Sequence, residues 1–397
     1  MPQPLTASIG WSTKADATRA GKEAAEAAVA QLSSLTPQLA LVFGSSWFDQ
    51  PSLVYGVRSV LGTIPLAGGS TAGEIIPQGP TSHSCVVMLL ASDVMSCSVG
   101  LGEEVDRVPR EAGQQAGYTA AQGFRGSPRA GFLLFGDGLI ASYAEVVRGL
   151  QEALGTSALI VGGMTGDDLR FLQTYQYAND RAVSHAVVGV LLGGACKIGV
   201  GIEHGFAPIS KPRQITRASA NVLYELDGHP AASVYEEYFG SDLLQRMRKE
   251  GLTRQGIAFP LGLQGPSPNQ WLLRNVIAFE GDGSLSCNGE VLEGSWLQLM
   301  MSSRNLALEA AHRAALQAIR PLNRVACALI FDSALRRTLL GAQQAATEIA
   351  QIRKVIGPST PMAGCYTYGE QAPFGALSVN ERSTFQTSSV LVVAIGT

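Results

Sequence analysis

The chain writes one pattern three times, and that repeat limits the folds open to it more than any other feature. Three apolar runs end alike: Leu41-Val42-Phe43 enters Gly44-Ser45-Ser46, Leu133-Leu134-Phe135 enters Gly136-Asp137-Gly138, and Leu329-Ile330-Phe331 enters Asp332-Ser333-Ala334. Each is a short uncharged run that turns abruptly into small or acidic residues, as a buried strand does at its end. Ala-rich stretches with apolar residues near 3.6 spacing precede them at 16–35, 106–122 and 305–319. Second helical segments follow at 52–61, 142–154 and 343–356. Next come the glycine-edged strands LAGGSTAGE (66–74), IVGGMTGDD (160–168) and MAGCYTYGE (362–370), then the β runs Cys85–Leu90, Val187–Leu192 and Ser389–Ile395.

The order is helix, strand, helix, strand and hairpin. It predicts an α/β fold: three related units forming two domains, with mixed sheets covered by helices. Two units precede the seam and one follows it. The seam is the stretch broken by Pro208, Pro212 and Pro230, and it divides the chain into an expected N-terminal domain (1–219) and C-terminal domain (220–397). Within the second, 231–251 reads as helix, and Trp271–Phe279 and Ser284–Cys287 read as strands around Gly281-Asp282-Gly283. A length of 397 residues suits two domains, and 45 glycines with 46% hydrophobic residues suit buried strands and tight turns.

The bulk numbers also exclude. A net charge of −3 offers no basic footprint for nucleic acid. The longest apolar candidate, Ala186 to Cys196, is eleven residues with three glycines, too short to span a bilayer. The first residues lack the basic and apolar regions of a secretory leader, and six scattered cysteines read as reduced thiols, so a cytoplasmic setting is expected.

Catalytic patterns are few. There is no Walker A motif, and Gly68-Gly69-Ser70-Thr71-Ala72 misses the nucleophile elbow at its last residue. The five histidines are too dispersed for a local metal motif, and no metal or catalytic residue is assigned. A loop found three times at equivalent places reads as a turn that the fold requires, with polar side chains free to edge a cleft. Cys365 reads as a small buried hydrophobe, and Asp137 and Asp332 read as helix N-caps.

At these loops and the seam the chain resembles the FIST family (F-box and intracellular signal transduction proteins) over nearly its whole length. The motifs carrying this are Gly68-Gly69-Ser70-Thr71-Ala72-Gly73-Glu74-Ile75, Gly162-Gly163 with Gly166-Asp167-Asp168 and Arg170, Thr174-Tyr175, and His204-Gly205. Further on come Leu226-Asp227-Gly228, Phe259-Pro260-Leu261-Gly262, Arg274, Glu293-Gly294-Ser295 and Tyr366-Thr367-Tyr368-Gly369-Glu370. One departure stands out: Thr384-Phe385-Gln386-Thr387 replaces the family's usual His-Asn-x-Thr.

The resemblance implies a sensory module, not an enzyme. It would bind a small ligand between its two domains and act through a separate partner: a histidine kinase, a cyclic-dinucleotide enzyme or a chemotaxis protein. Ser70, Thr71, Glu74, Asp167, Arg274, Tyr366, Tyr368 and Glu370 are the expected lining residues. Arg274 suits a carboxylate, or else makes an ordinary ion pair on a strand. No cofactor is expected. Two alternatives stand beside this reading: a haem-binding nitric-oxide sensor with His204 as ligand, and a ligand-free interaction scaffold.

Overall fold

The computed structural model describes residues 4–33, 35–140, 143–250, 258–265, 270–373 and 383–397. Ser142 and Gly251, which bound two of the expected helices, lie outside this set.

Each unit opens with a strand that the sequence reading did not include: Thr6–Ser12, Met95–Glu103 and Lys197–Glu203. The first helices then follow at Ala17–Gln31, Pro109–Gly123 and Arg304–Ile319, with buried faces built largely of alanine. Small side chains there let the helix approach the opening strand closely. A Cβ added at Gly10, Gly100 or Gly199 would lie 2.0, 1.9 or 1.9 Å from a helix carbonyl oxygen. The central strands are Leu39–Ser45, Arg129–Gly136 and Val325–Ser333, and each pairs in parallel with the glycine-edged strand that follows it. The second helices are Gln50–Leu61, Tyr143–Leu154 and Ala334–Ile356, the last of them broken at Gly341. The strands Cys85–Ala91, Ala186–Gly194 and Val390–Gly396 close the units.

The hairpins do not stay with their own units. The hairpin Glu74–Ile76/Gly79–Thr81 joins the third sheet, Gln176–Ala178/Arg181–Val183 joins the first, and Glu370–Pro373/Ser383–Gln386 joins the second. The exchange is cyclic. Each glycine-edged strand, otherwise an open edge, is thereby covered by a neighbour's hairpin.

The three sheets face a common core. On its axis Phe43, Phe135 and Phe331, equivalent residues of the three central strands, pack with ring centroids 6.1, 6.4 and 5.9 Å apart. Three outer cores lie between each sheet and its own helices. The repeated glycine has a steric cause here. A Cβ at Gly68, Gly162 or Gly364 would lie 1.9, 2.0 or 1.9 Å from the carbonyl oxygen of Val42, Leu134 or Ile330 on the neighbouring strand.

Between Glu203 and Arg304 the third unit carries an inserted, all-antiparallel sheet with its own core. Its main strands are Arg213–Ser219, Val222–Leu226, Leu261–Gln264, Trp271–Arg274, Val276–Phe279, Leu285–Cys287 and Trp296–Ser302. Two helices, Ser233–Phe239 and Ser241–Glu250, occupy the expected 231–251 segment. Among the described residues no helix is long and apolar enough to cross a membrane.

Candidate functional site

The expected lining residues divide into two groups. Ser70, Thr71, Glu74 and Glu370 are buried at the joints where one unit's hairpin meets another's sheet. The Ser70 hydroxyl donates to the Gly166 carbonyl (2.7 Å) and accepts from the Tyr175 N–H (2.8 Å). Glu74 accepts from the Thr71 hydroxyl and from the Ser84 N–H (3.2 Å) and hydroxyl (2.6 Å). Glu370 accepts from the Thr367 hydroxyl (2.7 Å) and the Ser389 N–H (3.2 Å). Burial pushes the Glu74 carboxyl up to about 7 against these hydrogen bonds, and pushes Glu370 up to about 8.

The second unit holds its equivalent elsewhere than the sequence suggests. Gln176, not Asp167, occupies the Glu74 and Glu370 position: it pairs with Gly69 as Glu74 pairs with Cys365 and Glu370 with Gly163. Its side chain donates to Thr165 Oγ1 (2.8 Å) and accepts from the Ala186 N–H (3.1 Å). A neutral carboxamide thus stands in the second unit where the other two hold carboxyls whose burial favours the neutral form.

Asp167 instead organises a loop. Its carboxylate accepts from the N–H groups of Phe171 (2.9 Å), Leu172 (2.6 Å) and Gln173 (3.0 Å) and from the Tyr368 hydroxyl. Asp168 accepts from Ser45 Oγ (2.9 Å) and from the Ser46 N–H (3.1 Å) and hydroxyl (2.7 Å). Between these clamps Asp168, Leu169 and Phe171 adopt φ of 56°, 62° and 54°, left-handed conformations rare without glycine. The Phe171 ring stacks on Tyr368 with centroids 4.9 Å apart.

That loop borders a cavity of about 210 Å³ where the second unit, the third unit and the inserted sheet meet. Gly138, Leu139, Ile140, Leu169 and Phe171 come from the second unit; Asn275, Ile277, Cys287 and Asn288 come from the inserted sheet. Ala334, Leu335, Thr367, Tyr368 and Phe385 complete it from the third unit. Of the residues singled out in the sequence as lining, Tyr368 is among these walls; Phe171, Asn275, Asn288 and Phe385 went unrecognised. Phe385 falls in the stretch that departs from the family pattern, and Thr387 of the same stretch accepts from the Asn275 amide (3.3 Å).

Other residues have different employment. Arg274 is buried, its guanidinium donating to the carbonyls of Glu290 (2.8 Å), Leu273 (2.8 Å) and Phe385 (3.3 Å). Among the described residues it makes no ion pair, and Nε and Nη1 are held by these carbonyls. Burial lowers it to about 10, which leaves it charged at neutral pH. Tyr366 is buried with its ring beneath the Arg337 guanidinium, 4.7 Å from the centroid. Asp137 and Asp332 are not N-caps. Asp137 accepts from the Leu139 N–H and the Thr174 hydroxyl, and Asp332 pairs with Arg336 (3.1 Å). Arg336 also binds Glu348, the His204 carbonyl and the Ala307 carbonyl (3.0 Å), all away from solvent. Burial and the neighbouring Glu348 push the Asp332 carboxyl well above the usual range.

His204 accepts from the Phe206 N–H at Nδ1 (2.9 Å), and burial with nearby Arg336 lowers it to about 4, so the imidazole is neutral. It lines neither the junction cavity nor a second cavity of about 290 Å³ bounded by Phe206, Phe259, Met301, Arg336, Leu339 and Leu340. Burial pushes the thiol of Cys365 far up and that of Cys287 up to about 12, so neither is a thiolate at neutral pH.

The FIST N domain model matches residues 38–229 and the FIST C domain model residues 231–373. The chain belongs to the FIST family. FIST proteins form a sensory and signal-transduction family. An uncharacterized protein of Methanocaldococcus jannaschii is 28% identical over 178 residues, which is 43% of this FIST chain and 34% of that protein; the chain thus spans about a third of its length. Uncharacterized proteins of Mycobacterium tuberculosis and Mycobacterium bovis are 26% and 25% identical over 382 and 388 residues, each covering 92% of this chain and 94% and 93% of theirs. Among solved structures, the cyanuric acid hydrolase of A. caulinodans aligns over 99% of this chain and 100% of its own at 9% identity, with a TM-score of 0.35.

Proposed function

We infer that this FIST protein is a sensor that binds a small molecule in the junction cavity and passes the signal to a separate protein. The observation that carries this is the composition of the cavity wall. Its residues come from the second unit, the third unit and the inserted sheet, so a ligand there touches both FIST domains at once. Pockets at such junctions are the usual sites for small ligands, and their closure is a change that a partner can read.

Two elements at the wall suit a change of shape. One is the left-handed loop at 168–171, held by carboxylate clamps. The other is the first part of the helix Ala334–Ile356, hinged at Gly341 (φ 73°). Ala334 and Leu335 face the junction cavity, while Arg336, Leu339 and Leu340 wall the second one, so displacement of this short segment would couple the two.

The test is a thermal-shift screen of a metabolite library against the wild type and Ile277→Trp, a variant that fills the cavity from its half-exposed rim. Ligands that raise the Tm of the wild type and leave the variant unmoved support the reading. Ligands that shift both proteins equally would place the site elsewhere.

A further inference from the structure

We propose that the junction cavity selects a small neutral molecule containing one ring and a hydrogen-bond acceptor, and rejects carboxylates and amino acids. The inference rests on the sensor reading above and specifies its ligand.

Size comes first. An apolar cavity of about 150 Å³ holds a benzene molecule, so one of about 210 Å³ has room for a ring with a short substituent. The wall decides the chemistry. Among the described residues, none that lines the cavity is charged. The cation nearest in sequence, Arg274, is not among the wall residues, and its Nε and Nη1 point at three backbone carbonyls. The Asp167 carboxylate is taken up by three N–H groups and Tyr368. A ligand carboxylate seated against this wall would therefore give up part of its water and meet no charged partner among the described wall residues, which general transfer behaviour disfavours. Flat surfaces are abundant instead: Phe171 stacks on Tyr368, and Phe385 stacks on Tyr143 with centroids 5.3 Å apart.

Among the described wall residues, one side-chain amide is left for orientation. The Asn288 side-chain oxygen accepts from the Asn275 N–H (2.9 Å), and the Asn275 amide donates to Ser388 (2.9 Å). Thr367 and Tyr368 are occupied by Glu370 and Asp167. Among the described residues the Asn288 amide nitrogen makes no hydrogen bond, and it stands at the wall as a donor for a carbonyl or ether oxygen.

The experiment titrates the full chain by ligand-observed NMR with three probes: acetophenone, benzoate of nearly the same size, and phenylalanine. Acetophenone should bind. Ile277→Trp should abolish its signal, and Asn288→Asp, which keeps the acceptor but removes the donor, should weaken it at least tenfold with the Tm preserved. Benzoate and phenylalanine should give no signal that Ile277→Trp removes. Should benzoate or phenylalanine bind in a way that Ile277→Trp blocks while acetophenone does not, the ligand class is wrong and the sensor site stands. Should none of the three bind, or should binding survive Ile277→Trp, the site itself is overturned.

Discussion

The Tyr368 hydroxyl donates to the Asp167 carboxylate across the junction of the second and third units. The same tyrosine ring carries Phe171 on its face, so one side chain ties down a loop whose backbone is held in an uncommon conformation. Tyr368→Phe keeps the stack and removes the hydrogen bond. Because Asp167 retains three N–H partners, the expected loss is about 1–2 kcal/mol in urea unfolding. Amide exchange at Phe171, Leu172 and Gln173 should accelerate selectively, which hydrogen-exchange mass spectrometry can read.

Glu74 and Glu370 set a pH dependence whose sign is fixed by the direction of their shifts. Both carboxyls are raised above the unfolded value, to about 7 and about 8. Their contribution is therefore fully present below the unfolded pKa of about 4.3 and is lost as pH rises through the folded values. Stability should fall between pH 5 and 8. Glu74→Gln should be tolerated, since Gln176 already fills the equivalent place. Relative to wild type it should gain roughly 3 kcal/mol between pH 5 and pH 8, measured by urea unfolding at the two pH values. The converse change, Gln176→Glu, should steepen the decline.

Arg336 binds two buried carboxyl groups on opposite sides of the Gly341 break, Asp332 before it and Glu348 after it. Removing one partner of such a cluster leaves uncompensated charge, so Arg336→Met should cost about 3–5 kcal/mol. The triple variant with Asp332→Asn and Glu348→Gln should recover a large part of it. Equal loss in the single and triple variants would mean that packing of the arginine stem, not charge, is what matters.

The repeated glycine can be tested against a free one. Gly364→Ala places a methyl 1.9 Å from the Ile330 carbonyl oxygen, whereas Gly281 has nothing within 4 Å of its Cβ position. Gly364→Ala should lower stability by more than about 3 kcal/mol by overpacking against backbone, and Gly281→Ala should be close to neutral. Thermal unfolding of the pair separates a steric requirement from general glycine entropy.

The units and their strand ends were legible because a buried parallel strand and the glycine beside it leave a local signature, Phe43, Phe135 and Phe331 included. The exchange of hairpins was not. The residues of Glu74–Ile76 read the same whether they pair with their own sheet or with the neighbour's. Gln176 escaped notice because the second unit inserts the 168–175 loop ahead of it, which moves the equivalent position away from the Thr165 motif. Arg274 drew attention as an anion fork, but two of the backbone carbonyls it binds, those of Glu290 and Phe385, reach it only in three dimensions. The cavity walls were hidden for the same reason: Phe171, Asn288 and Phe385 belong to segments distant in sequence, and only Phe385 falls in a stretch that stood out, by its departure from the family pattern.

The most direct measurement is native mass spectrometry of the wild type and Ile277→Trp, each freshly purified from the source organism and compared with its denatured mass. The expected result is a small-molecule mass carried by the wild type, released on denaturation and missing from the variant. Identical mass profiles for the two proteins, loaded or empty, would contradict a ligand site at the junction of the FIST domains.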